Sequence, residues 1–281
     1  MKAFTKISLS IALISLGLGM GLLILVVGRG SSLQYTPTFT MEDTVSDIRG
    51  LDIYMDAGEI IISQGDVFSI EANNLYNKDD LKSYVSDGVW VIRHDNSESL
   101  SLLGYKIPIS INVWRYKAPR INITLPEGFN AEDIRISLNA GRLKANNLHT
   151  DRGHFTVDAG SLEINGLTVE EESSYFVGAG QINLKQVDIK NITVECDFGS
   201  VNMEGLITGD NEIQCNVGKI TLDIDDDMEL YSFNIDSELG NVIINSRSYR
   251  NYRITNDSNK YKGSFQLNVD VGNITMNFSE Y

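Results

Sequence analysis

The residues with the most regular spacing that could do chemistry are acidic and amide side chains two positions before a recurring glycine. They are Asp56, Asn139, Asp158, Asp197, Asn216 and Asp270, with Gly178 at the same place in one copy. Carboxylates held a few ångströms apart attract Ca²⁺, so this column could bind a divalent cation or serve a polysaccharide-active enzyme. Asn and Gly interrupt the charge, however, and Asp and Asn side chains also stabilise corners by bonding to nearby backbone. We therefore interpret the column as structural.

Other residues suited to catalysis or metal binding are few. The histidines are His94, His149 and His154, and a metal pair at the last two is the alternative to solvated loop residues. No G-x-S-x-G, P-loop or H-E-x-x-H motif is present in the sequence. We accordingly predict no catalytic residue, no metal site and no cofactor.

The two cysteines follow the same repeat. Cys196 and Cys215 each stand three residues before a glycine, so they are predicted at the same inward position of adjacent repeats. Two readings stay open for this pair, a disulfide or two buried thiols that act as small apolar side chains.

Basic and aromatic side chains are concentrated in two segments, 105–120 and 247–262, of an otherwise acidic chain. The whole sequence has 23 Lys and Arg against 38 Asp and Glu, a net charge of -15, which disfavours nucleic acid as a partner. Arg and Lys beside Trp and Tyr suit anionic lipid head groups or cell-wall polymers, whereas the simpler reading is that they offset acidic charge elsewhere. The predicted binding residues are Lys106, Trp114, Arg115, Tyr116, Lys117, Arg120, Arg247, Tyr249, Arg250, Tyr252, Arg253, Lys260, Tyr261 and Lys262.

A short internal repeat predicts the elements that position these side chains. Its pattern is apolar-x-apolar-Asp/Asn-x-Gly-x-apolar-x-apolar, as in IYMDAGEIII and FTVDAGSLEI. The apolar alternation is the period of a β-strand, and the glycine marks a bend that needs a positive φ or a close backbone approach. The turn glycines are Gly58, Gly141, Gly160, Gly180, Gly199, Gly218, Gly240 and Gly272, with steps of 19, 20, 19 and 19 residues from Gly141 to Gly218.

This regular step predicts an all-β domain over residues 48–281, a parallel β-solenoid with rungs of about 19 residues. One unit cannot bury its apolar face alone, but stacked units make a continuous core. An antiparallel sandwich is the alternative, although it would need hairpin turns rather than a fixed step. Insertions at about 66–130 and 245–263 interrupt the repeat and carry both basic segments.

The N-terminal residues predict a single membrane span. Residues 7–28 are 22 uncharged, largely apolar residues, which as a helix would extend about 33 Å and cross a hydrocarbon core of about 30 Å. Lys2 and Lys6 favour a cytoplasmic stub at 1–6, with the linker 29–47 and the solenoid outside. A cleaved signal peptide is the alternative, but the run is long and lacks an A-x-A cleavage site.

The spanning segment also offers a self-association motif. Gly17 and Gly21 match G-x-x-x-G, a spacing at which small residues let two membrane helices pack closely. The motif predicts a dimer through this helix face, against the simpler reading that glycine is common in such helices.

The segments IRGLDIYMDAGEIIISQGD and INITLPEGFN, with the units NAGRL, DAGSL and GAGQI, resemble the bacterial "putative adhesin" domain-of-unknown-function family. Over residues 48–281 the resemblance implies a β-helix protein anchored in the bacterial plasma membrane, a non-enzymatic interaction or scaffold protein of the cell envelope that displays contact loops. The family includes an accessory protein encoded beside an envelope-stress two-component system, so a regulator of a membrane sensor is the second reading. A polysaccharide-active enzyme is the third.

Overall fold

The computed structural model describes residues 38–40, 48–75, 80–95, 99–102, 105–108, 118–249, 251–255 and 261–279. These residues are almost entirely β-strand, with a 3-10 turn at Met228–Leu230. No helix among them is long and apolar enough to cross a bilayer. The predicted spanning segment 7–28, with Gly17 and Gly21, lies outside the described residues.

The strands occupy most of the described chain. They are β1 (Thr38–Thr40), β2 (Gly50–Gly65), β3 (Ser69–Asn73), β4 (Leu81–Ser86), β5 (Val89–His94), β6 (Ser99–Leu102), β7 (Tyr105–Pro108), β8 (Arg120–Pro126), β9 (Ala131–Lys190), β10 (Ile192–Ile224), β11 (Tyr231–Ile244), β12 (Arg247–Tyr249), β13 (Tyr252–Ile254) and β14 (Gly263–Phe278).

The long strands stack in parallel layers with equivalent residues in register. Gly58 of β2 pairs with Gly141 of β9, and Gly199 of β10 pairs with Gly180 of β9. Within the described residues the stack has nine layers: one from β5 and β8 together, one from β2, three from β9, two from β10, and one each from β14 and β11. The parallel, in-register arrangement that the repeat predicts is confirmed, and the antiparallel sandwich is wrong.

The order of layers in space differs from their order in the chain. β14 lies between β10 and β11, because Gly272 pairs with Gly218 on one side and with Gly240 on the other. The layer that contains Gly240 is therefore the last of the stack, although its residues precede β14 in the sequence.

Short antiparallel strands cover both ends of the stack. At the first end, β3 pairs with β8, β4 with β5, and β1 with β3; at the second end, β12 and β13 pair with β11. We call these strands the first cap and the second cap. Open strand edges are templates for aggregation, and short covering strands remove that hazard. Eight intervals of about 4.8 Å put the two caps about 38 Å apart.

The core is built from inward columns of apolar side chains that repeat from layer to layer. In the Gly160 layer, Phe155, Val157, Leu162 and Ile164 are buried. The ring of Phe155 stacks on that of Tyr175 in the next layer, with centroids 5.3 Å apart. Each layer thus buries its apolar residues against its neighbours, as expected for a repeat that is unstable alone.

One inward position of the first layer is a histidine. His94 is almost fully buried, it pairs with Met55 of β2, and its Nδ1 has no hydrogen-bond partner among the described residues. Burial lowers the pKa of this imidazole, an effect that the charges of Asp80, Asp56 and Asp95 partly offset. The imidazole in the first layer therefore takes up a proton less readily in the folded chain than in the unfolded chain.

Acidification should for this reason weaken the fold at the first layer. The unfolded chain binds a proton to His94 at a higher pH than the folded chain does, so stability is present above about pH 6.5 and falls as pH decreases towards the lower, folded pKa. Between those two values the loss is about 1.4 kcal/mol per pH unit. Urea unfolding at pH 7.5, 6.5 and 5.5 measures it.

Substitution of His94 tests whether this residue causes the pH dependence of stability. His94→Met should lose this part of the pH dependence, because Met55 already fills the equivalent place in the next layer. His154→Gln is the matched control, since His154 is partly exposed and bonds to Ser174. An unchanged slope in His94→Met would contradict the assignment.

Candidate interaction surfaces

The recurring glycines form one column at a corner of the stack. A Cβ placed on Gly160 would lie 1.8 Å from the carbonyl oxygen of Gly141, and the other column glycines show the same close approach to the layer beside them. The sequence prediction of a close backbone approach at these positions is confirmed. The surface along this column therefore consists of backbone without side chains.

A groove follows this column over several layers. It has a volume of about 640 Å³ and runs from Gly58 to Gly199, with the residue after each glycine on its wall. Those wall residues are Glu59, Arg142, Ser161, Gln181 and Ser200. The groove begins beside Ala118, where the first insertion rejoins the stack.

The residues immediately before the column glycines form a second, apolar column. In the first four glycine layers it is alanine: Ala57, Ala140, Ala159 and Ala179. In the last four layers it is Phe198, Val217, Val271 and Leu239, and we call these four residues the corner ridge. Phe198, Val271 and Leu239 are 40%, 37% and 63% exposed. Our sequence reasoning missed this ridge, although its signal, an apolar residue before every repeat glycine, was present.

The acidic column flanks the apolar one and is held by amide groups between layers. Asn139 Nδ2 donates to Asp56 Oδ1 at 3.1 Å, and Asn216 Nδ2 donates to Asp197 Oδ1 at 2.9 Å. Burial raises the pKa of the Asp158 carboxyl. No group of three or more His, Cys, Asp or Glu in the described part of the chain is placed to hold a metal ion. At these two places an amide of one layer thus bonds to the carboxylate of the layer beside it, which supports the structural interpretation.

The first basic insertion leaves the stack at the first cap. Lys106 lies in β7, which forms a hairpin with β6, and Arg120 begins β8. The Arg120 guanidinium donates to Glu59 at 2.8 Å and remains half exposed. The predicted residues Trp114, Arg115, Tyr116 and Lys117 lie outside the described residues.

The second basic insertion forms the second cap, and most of its described residues have structural partners. The rings of Tyr249 and Tyr252 lie 4.8 Å apart and pack against the core. Arg253 donates twice to Asn234 Oδ1, at 3.0 and 2.8 Å. Arg247 and Tyr261 are exposed. Two further predicted residues, Arg250 and Lys260, lie outside the described residues.

Lys262 ends this insertion in an ion pair with the buried carboxylate of Asp226. Its Nζ lies 2.7 and 3.0 Å from the two carboxylate oxygens of Asp226, which also accepts a hydrogen bond from the Tyr231 hydroxyl at 2.7 Å. Burial alone would raise the pKa of Asp226, but the hydrogen bonds from Lys262 and Tyr231 hold it below its usual value. We therefore assign Lys262 to the attachment of the second cap.

The cysteines and the two remaining histidines are also placed. Cys196 and Cys215 are buried free thiols. A hydrogen bond between these side chains, together with burial, raises the pKa of Cys196. His149 contacts Glu170 at 3.2 Å and His154 contacts Ser174 at 2.8 Å, so each has its own partner.

A capped stack of parallel layers, with a regular corner column and insertions at its ends, defines a repeat protein whose scaffold presents surfaces at the ends and along one corner. The chain belongs to the toastrack DUF4097 family, whose model matches residues 48–277.

Several solved structures are similar to this chain. One is a "putative adhesin" from Bacteroides fragilis, with 12% identity and a TM-score of 0.46, covering 89% of this chain and 99% of that one. Another is a "putative cell adhesion protein" from Clostridium sporogenes, with 16% identity and a TM-score of 0.37, covering 88% and 100%. A third is a "putative lipid binding protein" from Parabacteroides distasonis, with 12% identity and a TM-score of 0.34, covering 90% and 99%. Comparison with curated proteins gives no match.

Proposed function

We propose that this protein is a non-enzymatic, membrane-anchored interaction module of the bacterial cell envelope that displays contact loops on a β-solenoid. The observation that carries the proposal is that the two basic, aromatic-rich insertions leave the stack at opposite caps, the first between β5 and β8 and the second beside β11. An in-register stack is a rigid spacer, and loops on rigid scaffolds commonly carry binding. The protein would thus hold two contact sites at a fixed separation.

The path of the chain suggests which cap faces the membrane. β1 pairs with β3 of the first cap and begins at Thr38. If residues 7–28 span the bilayer, the ten residue steps from Gly28 to Thr38 can extend at most about 36 Å. The first insertion would then lie near anionic head groups, and the second insertion would point towards cell-wall polymer or a partner protein.

Charge-neutralised variants of the full chain test this division. The first-loop variant is Lys106→Gln, Arg115→Gln and Lys117→Gln, and the second-loop variant is Arg247→Gln, Arg250→Gln and Lys260→Gln. Arg120, Arg253 and Lys262 stay unchanged because they have partners in the fold. The matched control removes three cations from the middle layers, through Lys144→Gln, Lys185→Gln and Lys190→Gln; the ion pair of Lys144 with Glu163 lies at the surface, so its loss should cost little stability.

Two readouts follow. Co-sedimentation with isolated cell walls should fall at least tenfold in the second-loop variant and stay near the wild-type value in the control. In nanodiscs, brominated phosphatidylglycerol should quench Trp114 fluorescence in the wild type and quench it less in the first-loop variant. The other tryptophan, Trp90, is fully buried, so the change in quenching reports on Trp114. Equal losses in the control, or no binding by the wild type, would contradict the proposal.

An accessory regulator that acts on a membrane sensor through residues 7–28 is the second candidate. Exchange of that segment for an unrelated spanning helix would abolish regulation of the sensor. A protein that works through its caps would keep cell-wall binding after the same exchange.

A further inference from the structure

Exposed apolar side chains are concentrated near the second cap. Five of the seven large apolar side chains that are exposed in the described residues lie in the last four layers or the second cap: Phe198, Leu239, Ile254, Tyr261 and Val271. Three of the five belong to the corner ridge, which runs over four consecutive layers, a length of about 14 Å at about 4.8 Å per layer. Adjoining exposed apolar residues of this kind are typical of an interaction site.

The ridge stands beside the last four positions of the glycine column, which we call the glycine trough. Gly199, Gly218, Gly272 and Gly240 follow the ridge residues directly and carry no side chains. On the far side of the trough, the residue after each glycine is polar: Ser200, Lys219, Asn273 and Asn241. Lys219 is the cation of these four. On the near side of the ridge, the flanking column is acidic, with Asp197, Asn216, Asp270 and Glu238.

We propose that a second copy of this chain packs on the corner ridge, related by a two-fold axis parallel to the stack. With such an axis, each layer of one copy lies at the same height as the same layer of the other copy. The polar flank of one corner then faces the acidic flank of the other. The ridge of each copy then fills the glycine trough of the other. Lys219 of one copy meets the acidic column of the other between Asp197 and Asp270.

The opposite orientation is unfavourable. A two-fold axis perpendicular to the stack would make the corners antiparallel and would place the acidic column of one copy against that of the other. Like charges juxtaposed at an interface cost free energy and select against that arrangement. Charge complementarity therefore favours the parallel pair.

Membrane anchoring accounts for how so small a contact could persist, and the inference rests on the proposed function in this respect. Four ridge residues per copy cover far less than the roughly 800 Å² per partner of a stable interface. Two copies tethered to one membrane, with their first caps at the same height, experience an effective concentration that can reach the millimolar range. The parallel axis is also the arrangement that anchoring in one membrane permits.

Disulfide crosslinking of the full chain in native membranes tests the proposal. The background is Cys196→Val and Cys215→Val, because Val177 and Val269 fill the same inward column. Single cysteines are introduced by Val271→Cys and Leu239→Cys on the ridge. The controls are Val67→Cys and Tyr84→Cys, which replace similarly exposed apolar side chains near the first cap.

Mild copper–phenanthroline oxidation should give a covalent dimer for the ridge cysteines at least fivefold more readily than for the controls. Lys219→Glu should reduce the ridge crosslink, and adding Asp270→Lys to it should restore the crosslink. Lys185→Glu should leave the crosslink unchanged. Absence of the ridge crosslink, or equal yields from the controls, overturns the proposal.

Fractionation of the same cells separates the two proposals. Recovery of the chain in the soluble fraction would contradict the proposed anchoring. Ridge-specific crosslinks in that fraction would still support the dimer.

Discussion

Replacement of Gly160 by alanine is expected to prevent the chain from reaching its folded state. A Cβ at this position would lie 1.8 Å from the Gly141 carbonyl oxygen and 2.8 Å from its carbon, and both atoms belong to backbone that is fixed within the stack. The φ of +138° is also one that L-residues rarely adopt. We expect a loss of more than about 4 kcal/mol in the free energy of unfolding. Circular dichroism and thermal unfolding of the purified variant measure it.

Gly128→Ala is the matched control for this prediction. Gly128 has a φ of +74°, but a Cβ there would meet no atom within 4 Å. Its substitution therefore carries the conformational cost without the clash, about 1 kcal/mol. Similar stability of the two variants would mean that the layers can separate at the column, contrary to the geometry described above.

Replacement of Asp226 by asparagine is expected to loosen the second cap and to cost about 2–3 kcal/mol at pH 7. The substitution leaves the buried Tyr231 hydroxyl without its anionic acceptor and removes the ion pair with Lys262. The expected loss lies below that of a fully buried pair, because the Lys262 side chain is 45% exposed and can regain water. Urea unfolding of the wild type and the variant gives the difference.

The pH dependence of that difference has a defined sign. The pKa of Asp226 is lowered in the folded chain, so the carboxylate stabilises the fold above its unfolded pKa of about 3.9, and this contribution is lost as pH falls through the folded value. The gap between the wild type and Asp226→Asn should therefore shrink below about pH 4.

Arg253→Met serves as the comparison within the same cap. Arg253 bonds to a neutral, exposed amide of Asn234, so its loss should cost less than about 1 kcal/mol. If both variants lose the same stability, the Asp226 network is not the attachment of the cap.

The sequence predicts the layers well because their information is local. A glycine at nearly constant steps, with alternating apolar residues on both sides, defines a bend and two inward faces without reference to distant residues. The same logic placed Cys196 and Cys215 at an inward position, and both are buried. The turn that joins β4 to β5 is equally local, with positive φ at Asp87 and Gly88.

Local sequence patterns could not predict the spatial order of the last layers or the roles of the cap residues. The Gly240 and Gly272 units have similar patterns, so nothing local shows that β14 lies between β10 and β11. Lys262 was predicted to bind a ligand because charge type alone does not reveal a partner 36 residues away in the chain. Its role depends on the fold that brings Asp226 beside it.

The interchange of the last two layers has a consequence for how the chain assembles during synthesis. A chain that emerges from its N-terminal side can add the layers of β9 and β10 one after another, each on a finished surface. β11 emerges before β14, yet its neighbour in the stack is β14. β11 can pair with β12 and β13 of the second cap as they emerge, but its layer cannot join the stack until β14 has also been synthesised. The last two layers should form as a single cooperative event, and a chain stalled between them would present an unfinished edge to the chaperones and proteases of its compartment.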